Sequence, residues 1–251
     1  MMYYFILEPP RSNAEKLYLE RLKELSRQFS IASEISQSSP ARSASELAKM
    51  ALMKKYSTIV AVGSENHINK VVREMMKNRE NVHVVLGVIC TEAESMLSEK
   101  WHFKKPEDAI EMLRSRKLSK FDIGFIEPDI FFLTSAHLEP HRPVKISLEV
   151  DNWRADAIIT RAEISSNLYI LLEKLVRDKS FLRSTINLLS GKSQTKYEHS
   201  IFKGRTVKID STPKIPVYIG TEQVAKTPII IYRKLSGLNI ITKRAKVLNE
   251  S

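Results

Sequence analysis

The chain has 251 residues, 43% of them hydrophobic, so it can bury one large core or two smaller ones. Its 40 Lys and Arg residues outnumber 29 Asp and Glu residues, and the net charge of +11 favours anionic partners such as a membrane surface, nucleotide phosphates or nucleic acid. The single cysteine excludes an intramolecular disulfide, and no apolar run approaches the ~18 residues of a membrane-spanning helix, so we expect a cytoplasmic protein.

The first half of the chain alternates between strand and helix patterns. Short apolar segments that predict buried strands occur at residues 3–7, 58–62, 82–90 and 121–126. Apolar residues at helical spacing lie between them, at residues 17–29, 47–53, 68–76 and from Pro106 onward. A Ser-rich linker is expected at residues 36–45. The alternation predicts a parallel sheet covered by helices.

The character of the sequence changes near residue 127. Partly alternating, β-branched segments predict antiparallel strands at residues 131–134, 144–150, 157–169, 206–209, 216–219, 228–232 and 238–242. One helix is expected at residues 171–189. These patterns predict a second, β-rich domain.

Several segments carry a family resemblance. Ile59 to Val72 reads IVAVGSENHINKVV, which resembles the VAVGGDGTxNEVV motif of diacylglycerol and sphingosine lipid kinases. Leu86 to Thr91 resembles that family's LGIIPT, and Pro216 to Glu222 its PVxxDGE. The segments from Pro106 to Ile126 and from Thr227 to Ile241 are similar to further family elements. The ordered set spans nearly the whole chain, which is identified as a member of this lipid-kinase family with degenerate motifs.

The resemblance implies a three-layer α/β domain, a sandwich-like β-rich domain and an active-site cleft between them. We expect the α/β domain at residues 1–126, completed by residues 231–251, and the lipid-substrate-like domain at residues 127–230. Members of the family transfer the γ-phosphate of ATP to a lipid hydroxyl with magnesium. The resemblance therefore implies ATP and Mg²⁺ as cofactors.

The resemblance also assigns candidate site residues. Those expected to bind the nucleotide are Gly63, Ser64, Asn66, His67 and Thr91. Glu65 replaces a family aspartate and keeps its charge, displaced by one methylene. Gly220 stands where the family has its general base, and Glu222 is the nearest remaining carboxylate. Glu65 and Glu222 are therefore the candidate catalytic residues, and no metal-ligand spacing is found among the histidines.

Other departures from the family pattern argue against phosphate binding. Glu92 and Glu94 replace glycines of the second loop, and Glu8 replaces an asparagine before Pro9. At ~5 Å and an effective dielectric constant of about 20, each of the two second-loop carboxylates, Glu92 and Glu94, costs a bound phosphate roughly 3 kcal/mol before screening. Magnesium would reverse the sign of that interaction, because carboxylates are its usual ligands.

These departures favour a lipid-kinase homologue, or pseudoenzyme of phospholipid metabolism, in which phosphoryl transfer is weak or lost. It would keep a lipid, nucleotide or partner-binding role and associate peripherally with an anionic membrane. An active Mg-ATP-dependent lipid kinase that uses Glu65 and Glu222 is the alternative. A basic α/β module for nucleic acid is the second alternative, although it lacks a recognisable nucleic-acid motif.

Overall fold

The computed structural model describes residues 2–78, 84–176 and 196–243. The chain divides into two compact units. Unit 1 contains residues 1–123, 131–134 and 234–251, and unit 2 contains residues 124–130 and 135–233. The domain limits expected from the sequence, 1–126 with 231–251 and 127–230, stay a prediction.

The α/β half of the chain alternates strands with helices. Its elements are β1 (Tyr3–Leu7), α1 (Asn13–Gln28), β2 (Ser33–Gln37), α2 (Ala44–Met53), β3 (Thr58–Gly63), α3 (Glu65–Lys77), β4 (Val85–Cys90), α4 (Ser98–Trp101), α5 (Pro106–Ser115) and β5 (Lys117–Ile126). None of the helices in the described ranges has both the length and the apolar composition needed to cross a bilayer.

The strands of unit 1 form a parallel sheet in the order β2-β1-β3-β4. Every residue of β1, β3 and β4 is buried. Continuous burial is expected of strands that are covered by helices on both faces, and it explains their unbroken apolar sequences. The adjacency of these three strands also brings their carboxyl ends to one edge of the sheet.

Helix α3 is stabilised by the burial of one apolar face and by a capping residue at its N-terminus. Its buried apolar side chains are Ile68, Val71, Val72, Met75 and Met76. Full burial of such a side chain contributes about 1.5–3 kcal/mol. Ser64 is the N-cap and is the one residue between β3 and α3, so the N-terminus of the helix lies at the carboxyl edge of the sheet.

The second half of the chain is made of strands. They are β6 (Ile130–Phe132), β7 (Ser135–Leu138), β8 (Val144–Val150), β9 (Trp153–Ile159), β10 (Arg161–Ser165), β11 (Tyr169–Val176), β12 (Lys196–Lys203), β13 (Thr206–Ser211), β14 (Pro216–Ile219), β15 (Glu222–Lys226) and β16 (Ile229–Thr242). In unit 2, β13, β8 and β9 pair antiparallel, and a second antiparallel sheet has the order β12-β11-β10-β7-β14-β15. Alternate residues of β8 and β13 are buried.

The predicted fold class, an α/β part with a parallel sheet and a β-rich part, is confirmed. The linker expected at residues 36–45 is present over residues 38–43, but the strand Ser33–Gln37 that precedes it was not predicted; pairing with β1 stabilises this short polar edge segment. The helix expected at residues 171–189 was wrong at its start. Tyr169–Val176 is a strand, because a continuous apolar run does not distinguish the two states and pairing with β10 and β12 decides. The rest of that expected helix, residues 177–189, lies outside the described residues.

Candidate functional site

The first candidate loop is the tight connection between β3 and α3. Gly63 ends the strand with φ +154°, and the Ser64 hydroxyl accepts a hydrogen bond from the His67 N–H at 3.2 Å. The first N–H groups of a helix have no partner within it, and they lie at the positive end of its dipole. Such an end binds phosphates or carboxylates.

Two carboxylates of the chain itself accept hydrogen bonds from N–H groups at the start of α3. Glu8, which follows β1, accepts hydrogen bonds from the Ser64 backbone N–H at 2.5 Å and from the Ser64 hydroxyl at 3.0 Å. Glu92, which follows β4, accepts one from the Glu65 N–H at 2.9 Å. The start of α3 is therefore capped by its neighbours at the sheet edge.

Arg11 joins these two carboxylates. Its Nη2 lies 3.0 Å from Glu8 Oε1 and its Nη1 lies 2.8 Å from Glu92 Oε1. Because Arg11 is half exposed, each ion pair contributes at most about 1 kcal/mol. We call Glu8, Arg11 and Glu92 the carboxylate clamp. Sequence reasoning missed Arg11, whose one signal was its place three residues after Glu8.

Gly63 gives space to Glu8. A Cβ built on Gly63 would lie 2.6 Å from the Cβ and 2.7 Å from Oε2 of Glu8. The close approach that glycine permits is thus used by a side chain of the same protein. Glu8 and Glu92 already accept hydrogen bonds from the N–H groups at the start of α3. In this arrangement the loop therefore does not fit the phosphates of ATP, because the donors are taken and the neighbouring groups are negatively charged.

The charge states of Glu8 and His67 follow from their surroundings. Burial disfavours the Glu8 carboxylate, but hydrogen bonds from Ser64 and the nearby positive charge outweigh it and hold the pKa of Glu8 below its usual value. His67 is buried, and its Nε2 lies 3.1 Å from the Ile6 carbonyl oxygen. Burial lowers the pKa of His67, more than the contact with that carbonyl raises it. Both lowered pKa values make the folded state more stable at neutral pH than at acidic pH.

We expect the free energy of unfolding to decrease as the pH falls below about 6.5. The folded pKa of His67 lies below its unfolded value of 6.5, so the unfolded state takes up the proton first. The lowered pKa of Glu8 adds a second loss below its unfolded value of 4.5. One proton contributes at most about 1.4 kcal/mol per pH unit.

Urea unfolding of wild type and of His67→Gln between pH 8 and pH 4 measures this loss. The amide of glutamine still donates to the Ile6 carbonyl, so the variant should lose less stability between pH 6.5 and pH 5 than wild type does. Equal pH profiles of the two proteins would contradict the assignment.

The second candidate loop, after β4, lies against the first. Thr91 donates its N–H to the Gly63 carbonyl at 3.0 Å. Ser95 donates its hydroxyl to Glu65 Oε2 at 2.8 Å. Glu94 is exposed, whereas Glu92 belongs to the clamp. The two loops that resemble the family's nucleotide loops are therefore brought together by hydrogen bonds.

The remaining residues of α3 have separate surroundings. Asn66 lies half-buried in its first turn. Asn69, which matches the family motif, is buried: it accepts a hydrogen bond from the Leu133 N–H at 2.9 Å and donates one to Thr134 Oγ1 at 3.2 Å. Asn69 thus fixes residues 133–134 against the helix. Among the described residues, no group of three or more His, Cys, Asp or Glu side chains is placed to hold a metal ion.

Gly220 and Glu222 belong to a tight hairpin of unit 2. Pairing of Ile219 with Glu222 leaves Gly220 and Thr221 as a two-residue loop between β14 and β15. Gly220 has φ +57°, a conformation that favours glycine in such loops. The hairpin thus gives a local reason for glycine at the position of the family's general base. That this loop and the Glu65 loop line one cleft stays a prediction.

Comparison with known proteins places this arrangement in a family. Residues 3–126 match the family model of the diacylglycerol kinase catalytic domain. No curated protein sequence matches the chain. A Bacillus anthracis Sterne protein with the provisional name diacylglycerol kinase has a TM-score of 0.73 at 10% identity, covering 96% of this chain and 97% of that one.

Two further solved structures share the fold. A diacylglycerol kinase structure of Bacillus anthracis Sterne has a TM-score of 0.66 at 11% identity, with 96% and 97% of the two chains covered. Yeast NADH kinase, solved with NADH, has a TM-score of 0.56 at 9% identity and covers 100% of this chain and 89% of its own. Residues 3–126 therefore belong to the diacylglycerol kinase catalytic-domain family, and the chain as a whole shares the fold of the solved diacylglycerol kinase structures.

Proposed function

We propose that this chain is a lipid-kinase-family protein in which ATP-dependent phosphoryl transfer to a lipid hydroxyl is weak or lost. The observation that carries the proposal is the occupation of the Ser64 and Glu65 N–H groups by Glu8 and Glu92. Phosphoryl transfer depends on positioning phosphates and neutralising their charge. Carboxylates at the donors oppose both requirements.

The electrostatic cost of placing a phosphate beside these carboxylates can be estimated from Coulomb's law. A phosphate within ~5 Å of Glu8 and Glu92 meets two negative charges, each costing roughly 3 kcal/mol at an effective dielectric constant of about 20. Arg11 supplies one positive charge and is already paired with both carboxylates. The clamp therefore keeps a net negative charge at the place where the phosphates would bind.

The proposal also rests on the general base. Gly220 has no side chain that could accept the proton of a lipid hydroxyl, and a well-placed base contributes typically 10²–10⁴-fold to the rate. Glu222 begins the next strand and is the remaining carboxylate at this hairpin. We propose that the chain keeps a lipid, nucleotide or partner-binding role with the scaffold of a kinase.

One observation favours the alternative of an active Mg-ATP-dependent kinase. The carboxylate of Glu65 is held by the Ser95 hydroxyl at 2.8 Å, so a fixed negative group stands where the family has an aspartate. In that alternative Glu65 acts with magnesium and Glu222 serves as the base.

Isothermal titration calorimetry of wild-type protein with ATP, with and without Mg²⁺, tests the proposal. We expect a dissociation constant no tighter than about 1 mM, a binding free energy of about −4 kcal/mol. NADH is titrated in parallel because a structural neighbour binds it. Micromolar, Mg²⁺-dependent binding of ATP would show that Glu8 and Glu92 do not exclude the phosphates; together with phosphorylation of a lipid alcohol it would overturn the proposal and establish the active kinase.

A further inference from the structure

Unit 2 exposes large hydrophobic side chains at one end of strands β9, β11 and β12. Trp153 is 48% exposed, Tyr169 is equally exposed and Ile201 is 70% exposed. The Trp153 ring lies 5.0 Å from the ring of Phe202, and Lys203 Nζ lies 4.8 Å from the centre of the Tyr169 ring. These five residues are therefore linked by direct contacts and by adjacency in β12. We call them the aromatic edge.

Strand register explains why Tyr169, Ile201 and Lys203 are exposed on one face, whereas Phe202 and Trp153 meet on the other face at the same end of the strands. In the β11–β12 pair, Tyr169 lies opposite Lys203 and Leu171 lies opposite Ile201. Residues two apart on a strand share a face, so these four side chains lie on one face of the β11–β12 pair. Phe202 points to the other face, where it meets Trp153 of β9. Trp153 and Lys203 also line one open hollow of about 460 Å³.

Several basic residues lie close to the aromatic edge. Lys203 lies over the Tyr169 ring, and with Arg233 it lowers the pKa of that phenol. Asp151 also lines the hollow, so the basic side chains near the edge outnumber the acidic ones without being alone there. Arg205 follows two residues after Lys203, and Arg154 follows Trp153. A surface that combines exposed tryptophan, tyrosine and isoleucine with basic side chains matches the boundary between anionic headgroups and acyl chains.

We propose that the aromatic edge docks unit 2 on the surface of an anionic bilayer. Trp153, Tyr169 and Ile201 enter the interface, where amphipathic rings are favoured. Lys203 keeps its charge at the headgroups while its methylenes lie along the apolar side chains. The docking requires no nucleotide, so it holds whether or not the chain transfers phosphate.

Co-sedimentation with phosphatidylcholine vesicles, with or without phosphatidylserine, tests this proposal. Wild type should bind the phosphatidylserine vesicles, and Trp153→Ser/Ile201→Ser should bind them at least about tenfold more weakly, because two apolar groups no longer leave water. Met53→Ser/Leu235→Ser is the matched control, since both residues are strongly exposed and lie in unit 1. It should bind like wild type.

A second measurement locates the contact directly. The chain has two tryptophans, and Trp101 is buried. In a Trp101→Phe protein, vesicle binding should shift the Trp153 emission to the blue, and brominated acyl chains should quench it. Lys203→Glu should weaken binding to phosphatidylserine vesicles only.

Three results would overturn the proposal: equal losses in the Ser pair and the control pair, binding without any change in Trp153 emission, or binding to single-stranded oligonucleotides in place of vesicles. Self-association abolished by Trp153→Ser/Ile201→Ser would likewise assign the aromatic edge to a second copy of the chain.

Discussion

Replacing Glu8 with asparagine and Glu92 with glycine is expected to raise the affinity for Mg-ATP by at least about 100-fold. Each substitution restores the residue type of the family and removes a carboxylate from the start of α3. Removing two repulsive contacts of roughly 3 kcal/mol each would raise the affinity by more than 100-fold in the absence of screening. Exposure of the site to solvent and salt reduces that increase. At about 1.4 kcal/mol per tenfold, 100-fold is a conservative expectation.

Arg11 should change its role in this variant. Once both of its carboxylate partners are removed, we expect the guanidinium to lie near the N–H groups that those carboxylates occupied. Arginine binds phosphate oxygens with paired donors, so Arg11 should contribute to the new affinity. Adding Arg11→Gln to the double variant should therefore reduce the gain by about tenfold.

Controls separate this effect from general changes in charge and stability. Glu94→Gly makes the same change in an exposed residue of the same loop, and it should leave the ATP affinity close to that of wild type. Loss of the Glu8 cap should cost about 1 kcal/mol of stability, which urea unfolding measures. A double variant that is folded but binds ATP no better than Glu94→Gly would show that the clamp does not block the nucleotide.

Wild-type protein is expected to phosphorylate diacylglycerol at or near background. The absence of a base at Gly220 should alone cost on the order of 10²–10⁴-fold. Gly220→Asp by itself should recover little, because phosphate binding stays blocked. Gly220→Asp with Glu92→Gly and Glu94→Gly should recover more, and addition of Glu8→Asn should recover most, although effects on one transition state need not add.

The hairpin geometry makes the Gly220→Asp test feasible. Aspartate tolerates positive φ better than most residues, so φ +57° at this loop should be compatible with folding. A radiolabelled-ATP assay over several lipid alcohols, with magnesium, measures the rates, and Gly220→Asn is the matched control without a base. Robust wild-type turnover that disappears in Glu222→Gln would reject the proposed function and establish the active kinase.

The family resemblance and much of the α/β part were readable from the amino-acid sequence. Strands β1, β3 and β4 were predictable because segments buried on both faces of a parallel sheet are continuously apolar. The motif order from Ile59 to Glu222 carried the family resemblance. The sequence also predicted that Gly220 replaces a general base, because a missing side chain is visible without coordinates.

The contacts made by the N–H groups of the candidate loop, in contrast, depend on the three-dimensional arrangement of the strands. Glu8, Ser64 and Glu92 are far apart in the sequence, and they meet because each follows one of three adjacent parallel strands, β1, β3 and β4. Strand order is set by pairing, which local patterns do not encode. For the same reason the polar edge strand β2 and the apolar strand β11 were not recognised: pairing with neighbouring strands, rather than side-chain periodicity, decided their conformation.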